Sequence, residues 1–204
     1  MAGRPRTISD ERILAAVATA VGEIGPVKLT LADVARAAGV STGALVQRFG
    51  SKRELLLGFL RLGVAESLPA RAMRAAYEGA PDPVEGLVRA VLGLVGRDRS
   101  PQEFGNHLAF LHLELADPEF RALLSRYDAG LRAELSDYLA DAVAAGQLAV
   151  DDVPALAAAV SSLISGTQIV WAMSRAGSLA DALRRDLTTL LAPYAQLAKL
   201  KGDR

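Results

Sequence analysis

The sequence predicts an all-α protein of about nine helices. Its 204 residues are 51% hydrophobic but only 5% aromatic, and Ala and Leu, which favour helices, dominate the apolar fraction. Capping residues followed by an acid or a proline recur along the whole chain, as they do at helix starts. Between these signals the apolar residues recur every three or four positions. The run 27–31 is the only strand-like one and no hairpin turn accompanies it, so the sequence predicts no sheet.

Helix-start signals divide the chain into its predicted elements. Ser9 precedes Asp10 and Glu11, acids that suit the first turn of a helix. Thr30 with Asp33 resembles a capping box, and prolines follow the capping residue at three later starts. The nine predicted starts are Ser9, Thr30, Ser41 or Thr42, Ser51, Asp82, Ser100, Asp117, Asp151 or Asp152, and Ser178. The predicted ends are at Gly25, Gly39, Gly50, Pro69, Gly79, Gly146 and Gly177.

The composition excludes several classes of protein. The chain has no cysteine, which excludes disulfides, thiolate metal sites and cysteine nucleophiles. Residues 1–12 carry arginines but lack the apolar core of a secretory signal. We expect no run of the ~20 uncharged apolar residues that a membrane span requires. A cytoplasmic protein is therefore expected.

Charge is distributed unevenly along the chain, although the formal net charge is zero. Residues 1–61 carry nine Lys and Arg against five Asp and Glu, whereas the remainder carries fourteen against eighteen. A basic module joined to a larger acidic body is typical of a nucleic-acid-binding domain with a partner domain. A chance division of solvated charges is the alternative, so the charge pattern favours DNA only modestly.

The segment from Thr30 to Leu55 reads as two short helices joined by a tight turn and followed by a third helix. Gly39 can adopt the left-handed conformation that a three-residue turn between helices requires. The second short helix, from Thr42 to Arg48, buries Leu45 and presents small or polar residues outward. Such a face lets a helix lie in the major groove of DNA. A plain helical hairpin within a bundle is the alternative.

Eight residues of this segment are candidate contacts to DNA. Gln can make paired hydrogen bonds to adenine, and Arg can bond guanine or a phosphate. Small side chains can touch thymine methyls, and the free N–H groups of a helix start beside a lysine can face a phosphate. The predicted DNA-binding residues are Thr30, Ser41, Thr42, Gly43, Ala44, Gln47, Arg48 and Lys52.

The same segment closely resembles the DNA-binding signature of the TetR family of bacterial one-component repressors. The positions in register are Thr30, Val34, Ala35, Ala38, Gly39, Val40, Ser41, Gly43, Leu45, Phe49, Lys52 and Leu55. The resemblance implies a helix-turn-helix DNA-binding domain over residues 1–55, with a fourth helix from about residue 51 that links it to the body. It further implies that residues 56–204 form a helical domain that binds a small molecule and forms a dimer.

Two positions depart from the family pattern. The family usually has Tyr where this chain has Val46, and His or Tyr where it has Arg48. Valine cannot make the phosphate contact of a tyrosine hydroxyl, so we expect phosphate anchoring to rest on Arg48 and Lys52. The arm before the first helix carries Arg4 and Arg6, which either enter the minor groove or belong to a disordered tail.

The last third of the chain predicts a dimer interface. The stretch 156–173 is long and apolar, with small residues that permit close helix approach, and leucines from 179 to 191 form a second stripe. Two such helices per subunit, near 152–176 and 178–199, suit a four-helix interface in a homodimer. Ordinary intramolecular core is the alternative.

A ligand site is predicted among the larger side chains on body helices that could converge. The candidates are Phe104, His107, Phe110, Leu111, Tyr127, Gln168 and Trp171, with Met173 beside them. Each of them taken alone is better explained by core packing. His107 and His112 would point about 140° apart on a helix, unlike the pair of a zinc site. We therefore expect no metal, no cofactor and no catalytic activity.

These observations favour a homodimeric repressor that leaves a near-palindromic DNA operator when a small-molecule effector binds. A helical DNA-binding protein that needs no ligand, such as an activator or a nucleoid-type factor, is the first alternative. An enzyme or a protein-interaction module with a degenerate DNA motif is the second.

Overall fold

The computed structural model describes residues 8–65, 68–95, 100–174 and 176–202. Within these ranges the chain forms helices and turns without a strand, which confirms the predicted all-α class. Each of the nine predicted starts immediately precedes a helix. The helices are α1 (Asp10–Ile24), α2 (Leu31–Ala38), α3 (Thr42–Phe49), α4 (Lys52–Ala65), α5 (Leu68–Tyr77), α6 (Pro83–Val95), α7 (Pro101–Ala116), α8 (Pro118–Ala144), α9 (Val153–Ser174) and α10 (Leu179–Gly202).

The helix α5 is the one helical segment without a predicted start. It is separated from α4 only by residues 66 and 67, which lie outside the described ranges. Pro69, which we expected to end a helix, instead lies in the first turn of α5, so that prediction is wrong. Proline is tolerated there because the N–H groups of a first turn have no acceptor within the helix.

The chain divides into two compact units that are not continuous in sequence. The first contains residues 1–66 and 102–124, and the second contains residues 67–101 and 125–204. The first unit therefore includes all of α4, most of α7 and the start of α8. Of these helices, only the start of α4 falls within the predicted domain 1–55. The functional boundary at residue 55 stays a prediction.

One hydrophobic cluster forms the core of the first unit. It joins side chains of α1 to α4 with aromatic side chains of the distant segment 102–124. The Phe110 ring lies 6.3 Å from the rings of both Phe59 and Phe120. The buried members include Ile13, Val17, Val34, Leu45, Leu55, Leu57, Phe110 and Phe120. This core stabilises α2 and α3, which at eight residues each are too short to be stable alone.

The second unit is a bundle in which α6 packs against α5 and α10, and α10 packs against α9. Gly86 of α6 permits a close approach to α5, because a Cβ atom there would lie 2.7 Å from the Tyr77 ring. The Tyr77 ring stacks on that of Tyr138, with 4.3 Å between the centroids. Arg184 of α10 donates two hydrogen bonds to Glu85 of α6, at 2.9 and 3.2 Å.

Helix α9 overturns one expectation about membranes. Its 22 residues, Val153–Ser174, carry no charge and include an 18-residue window with a mean hydropathy of 1.5, so the chain does contain an apolar run long enough to span a bilayer. In the second unit, however, α9 packs against α10 and buries one face through Leu156, Val160, Ile164 and Trp171. Its length and composition are those of a core helix as much as of a membrane span.

Candidate nucleic-acid interface

Helix α2 begins with the capping box that the sequence predicts. The Asp33 backbone N–H donates to the Thr30 hydroxyl at 3.2 Å, and the Thr30 backbone N–H donates to the Asp33 carboxylate at 3.0 Å. The Thr30 hydroxyl also donates to that carboxylate at 2.6 Å, and this bond lowers the pKa of Asp33. Thr30 is therefore engaged in fixing the start of α2.

The turn between α2 and α3 has the three residues 39–41. Gly39 adopts the left-handed conformation, with φ of 70° and ψ of 34°, which a residue with a Cβ atom adopts at a cost. The Ser41 hydroxyl then caps α3 by accepting the Ala44 backbone N–H at 3.1 Å. The predicted helix-turn-helix is therefore confirmed, and Ser41 acts in it as a cap.

The outer face of α3 is small and polar except at one position. Among its eight residues only Leu45 is buried, while Ala44 and Phe49 are half-buried. The exposed residues are Thr42, Gly43, Val46, Gln47 and Arg48. Four of the predicted contacts, Thr42, Gly43, Gln47 and Arg48, therefore lie on a surface that a groove of DNA can meet, whereas the predicted contact Ala44 is half-buried.

Within the described residues, neither the backbone nor the packing requires a glycine at position 43. A Cβ atom at this position would meet nothing nearer than the Ser41 hydroxyl oxygen, 3.9 Å away, and its backbone is helical. Glycine nevertheless costs a helix about 1 kcal/mol relative to alanine. The missing side chain leaves room for an outside surface to approach the backbone of α3.

The two cations predicted as phosphate anchors also hold the first unit together. The Arg48 guanidinium forms an ion pair with Asp10 and donates to the Ile8 carbonyl at 2.5 Å, which joins α3 to the start of α1. The Lys52 ammonium donates to the Val27 carbonyl at 3.2 Å, which joins α4 to the loop before α2. Arg4 and Arg6 of the predicted arm lie outside the described residues.

The side chain of Asn106 in α7 binds the C-terminal end of α1 within the first unit. Its side-chain amide donates to the Gly22 carbonyl at 2.7 Å and to the Glu23 carbonyl at 3.3 Å. These carbonyls belong to the last turn of α1, where a helix has acceptors without intrahelical donors. Gly25 leaves space for this amide, since a Cβ atom there would lie 2.6 Å from the Asn106 Oδ1 atom.

A cluster of charges joins α4 to the start of α8. Arg53 donates to both carboxylate oxygens of Asp117, at 2.7 and 2.9 Å, and to Glu119 at 3.2 Å. Its guanidinium lies 5.7 Å from the centre of the Phe120 ring, and Arg61 forms a further ion pair with Glu119. The hydrogen bonds from Arg53 lower the pKa of Asp117 to about 2. Sequence reasoning missed this cluster and Asn106, because only the cap at Asp117 leaves a local signal.

The predicted ligand residues are divided between the two units. Phe104, His107, Phe110 and Leu111 lie in the first unit, whereas Tyr127, Gln168 and Trp171 lie in the second. Phe110 belongs to the core of its unit. The Gln168 side chain donates to the Ile164 carbonyl of its own helix at 3.1 Å, and the Trp171 indole donates to the Gly177 carbonyl at 3.1 Å. The side chains of Phe110, Gln168 and Trp171 are thus used in packing or in hydrogen bonds to backbone carbonyls of their own unit.

A cavity of about 160 Å³ lies in the second unit between the end of α9 and the start of α10. Trp171 and Val170 contribute apolar surface to it, and Asp181, Arg185 and Asp186 contribute charge. Its volume is below the roughly 300–1,000 Å³ of sites for drug-sized ligands. Of the predicted ligand residues, Trp171 lines it.

An apolar stripe of α9 faces solvent within the second unit. Ile169, Val170 and Met173 are 38%, 59% and 72% exposed, which is unusual for large apolar side chains on one helix. The smaller Ala155, Ala159, Ser162 and Gly166 continue the exposed face toward the start of the helix. This face belongs to one of the two helices that the sequence predicts for a dimer interface.

Comparisons with known proteins cover both parts of the chain. The family model "Bacterial regulatory proteins, tetR family" matches residues 13–58, which include the helix-turn-helix. The model "BetI-type transcriptional repressor, C-terminal" matches residues 82–195, more than half of the chain. No curated protein sequence matches the chain significantly.

Solved structures share the whole fold. A protein from Rhodococcus sp. described as a TetR-family transcriptional regulator is 27% identical, with a TM-score of 0.69 over 91% of this chain and 97% of that one. The TetR-family regulator PfmR from Thermus thermophilus is 26% identical, with a TM-score of 0.60 over 89% and 97%. A transcriptional regulator from Saccharomonospora viridis, solved in complex with choline, is 24% identical, with a TM-score of 0.74 over 90% and 95%.

The fold, the helix-turn-helix and the two family models agree. Both models describe transcriptional regulators, and together they extend from α1 to α10. The exposed face of α3 is where such a protein would meet DNA. The chain belongs to the TetR family of bacterial transcriptional regulators.

Proposed function

We propose that the protein is a homodimeric repressor that reads a near-palindromic operator through α3 and leaves it when a small-molecule effector binds. The outer face of α3 carries this proposal. It combines exposed Thr42 and Gln47 with a glycine, Gly43, that neither its backbone conformation nor its packing against the described part of the chain requires. As a regulator that acts on bacterial DNA, the protein is placed in the cytoplasm, and no enzymatic activity is assigned to it.

Three residues of the proposed interface are assigned distinct chemical roles. Gln47 is exposed and can pair with the hydrogen-bonding edge of an adenine, so it is assigned to base reading. Lys52 keeps two of its three ammonium donors beyond the bond to Val27, so it is assigned to a phosphate. The Arg48 ion pair with Asp10 supports a positioning role, in which Arg48 holds α3 against the start of α1.

The exposed stripe of α9 supports the dimer. A second copy of the chain that covers Ile169, Val170 and Met173 would remove this apolar surface from water. With α9 and α10 of both subunits, the interface would be a four-helix bundle with two-fold symmetry. The near-palindromic operator of such a dimer would present two half-sites about one helical turn, ~34 Å, apart, one for each α3.

Release by an effector requires different affinities of the effector for two states of the protein. A ligand that binds the DNA-free state more tightly by a few kilocalories per mole would suffice to empty the operator. The choline complex of the Saccharomonospora viridis protein, which is 24% identical, supports a small-molecule site in this fold.

A regulator that needs no effector is the second candidate. The cavity beside Trp171 is, at about 160 Å³, smaller than most sites for organic ligands, and a body without a larger cavity would favour this candidate. The two candidates share the DNA-binding surface and differ only in the response to a ligand.

An unbiased selection of bound DNA tests the proposal. The full-length protein should enrich a near-palindromic sequence, and Gln47→Ala should change the preferred base at one position in each half-site. The control is Gln102→Ala, which removes an exposed glutamine of the first unit outside α3, together with its 3.4 Å bond to Asn106, and should leave the selected sequence unchanged. An unchanged profile with Gln47→Ala would remove the assignment of Gln47, and a profile without any preference would contradict the proposal.

A second arm of the selection tests the effector. Cell metabolite fractions added to the protein–operator complex should include one that releases the DNA. By thermodynamic reciprocity, operator DNA should weaken the binding of that metabolite by the same factor. Retention of DNA with every fraction would favour the regulator that needs no effector.

A further inference from the structure

Val46 is the exception on the otherwise polar face of α3. It is 46% exposed, although valine usually lies in a core, and the adjacent Leu45 already provides the buried contact of the helix. Two other large apolar side chains, Val27 and Leu115, are exposed elsewhere in the described part of the first unit. Neither of them lies on the helix that faces DNA in the proposed function.

The position of Val46 around α3 places it inside the exposed arc. With 3.6 residues per turn, the order around the helix surface is Thr42, Val46, Gly43 and Gln47. Residues three and four apart are neighbours on a helix, so Val46 adjoins Thr42 and Gly43 of the preceding turn. Because Gly43 has no side chain, the methyl groups of Val46 are open on that side.

The chemistry of valine restricts what it can bind. Its side chain has no hydrogen-bond donor, so it cannot bond a phosphate or the polar atoms of a base. An exposed apolar group gains free energy only when it covers another apolar surface. The C5-methyl group of thymine is the apolar group on the base edges of the major groove.

We infer that Val46 is a specificity-determining residue that packs against the C5-methyl group of a thymine in each half-site of the operator. The inference rests on the proposed function. It adds one base to those that α3 recognises in each half-site, namely a thymine beside the adenine assigned to Gln47. Thr42 and Gly43 border this contact, and the open backbone at Gly43 lets the base edge come close enough for it.

Operators with deoxyuridine provide the test. Deoxyuridine keeps the pairing and hydrogen-bonding atoms of thymine and lacks only the methyl group. Each thymine of the selected operator is replaced in turn, symmetrically in both half-sites, and Kd is measured with the full-length protein. One replaced position should weaken binding by about fourfold per half-site, the value expected for one buried methyl group.

Val46→Ala identifies the residue responsible. This variant removes both methyl groups from an exposed position and replaces valine with a better helix former, so it should fold. It should bind the thymine operator about fourfold more weakly per half-site and should lose the response to deoxyuridine at the same position. The control Leu115→Ala, which shortens an exposed apolar side chain away from α3, should retain the full response.

The outcomes separate the inference from the proposed function. If an operator is selected but no deoxyuridine position weakens binding, or if Val46→Ala keeps the same response, the inference is wrong and the proposed function stands. If no operator is selected at all, the proposed function fails and the inference fails with it. A loss of the response in Val46→Ala alone supports both.

Discussion

Arg53 and Asp117 form a two-pronged ion pair, with Nε to Oδ2 at 2.7 Å and Nη2 to Oδ1 at 2.9 Å, across 64 residues of sequence. The pair joins α4, which follows α3, to the residue that directly precedes α8, within one compact unit. A guanidinium that bonds both oxygens of a carboxylate fixes orientation as well as distance. The helix-turn-helix is therefore attached to a segment that the chain supplies from far downstream.

The Arg53–Asp117 pair predicts a pH dependence of stability. The hydrogen bonds from Arg53 lower the pKa of Asp117 from 3.8 to about 2, so its stabilising effect is fully present above 3.8 and is lost as the pH falls toward 2. Asp117→Asn should therefore reduce the free energy of unfolding at pH 7, and the difference from the natural protein should shrink below pH 3.8. The effect is small because solvent screens an exposed pair.

Denaturant titrations between pH 7 and pH 3 measure this difference. The control Asp137→Asn removes an exposed carboxylate from the second unit and should not produce the same pH dependence. A difference between Asp117→Asn and the natural protein that stays constant over the whole range would contradict the prediction.

We expect the loss of the Asn106 side chain to lower the stability of the protein, because this side chain binds the end of α1. Asn106→Ala leaves the Gly22 and Glu23 carbonyls without their donor at a site where the asparagine is only 9% exposed. The free energy of unfolding should fall by about 1–3 kcal/mol, the usual cost of unsatisfied buried acceptors. Thermal and denaturant unfolding measure it, with the exposed His112→Ala on the same helix as the control. Equal stability of the two variants would show that water replaces the amide without loss.

Arg48 and Asp10 predict a coupled effect on operator binding. If Arg48 positions α3 through Asp10, each of Arg48→Ala and Asp10→Ala should weaken operator binding by a similar factor, roughly threefold to tenfold, and the double variant should bind no worse than either. If Arg48 instead contacts a phosphate directly, removal of the Asp10 carboxylate should strengthen binding, because a negative charge near DNA is lost. Equilibrium binding of all three variants to one operator distinguishes the two roles.

We expect Lys52 to contribute to DNA affinity independently of the base sequence. Lys52→Ala should weaken binding to all DNA by a similar factor and lower the slope of log affinity against log salt by about one, as expected for one phosphate contact. Binding is measured for the operator and for a scrambled duplex over a range of salt concentrations. An unchanged slope would mean that the bond to the Val27 carbonyl is the main role of this lysine.

The exposed stripe of α9 predicts the assembly state. Val170→Glu places a charge in the proposed interface and should convert the proposed dimer to a monomer in sedimentation velocity. Operator affinity should fall about 100-fold or more, because two linked half-site contacts become independent. Leu115→Glu puts the same residue on an exposed apolar position of the first unit and should remain dimeric. A dimeric Val170→Glu would place the interface elsewhere.

Local signals carried most of the secondary structure. The helix starts were predictable because a capping residue acts on N–H groups two or three positions away, as Thr30 does with Asp33 and Ser41 with Ala44. The turn was predictable because the left-handed conformation of Gly39 is a property of that single residue. The start of α5 was missed although Ser67, which directly precedes it in the sequence, is of the capping type, because no acid follows three residues later and Pro69 favours a helix end.

Contacts between distant residues were not predictable in this way. Nothing within a few residues of Asn106 indicates that its amide caps α1, 84 residues upstream, or that Arg48 is engaged by Asp10 rather than left toward solvent. Such pairs depend on how amphipathic helices pack, and many helices with similar apolar faces could pack in other ways. The amino-acid pattern was thus sufficient for nine helix starts, the turn and the exposure of Thr42, Gly43, Gln47 and Arg48, since each depends on neighbours along the chain. It did not indicate that Val46 is exposed and Ala44 half-buried. The partners of Arg48, Arg53 and Asn106 arise only when the folded core brings separate segments together.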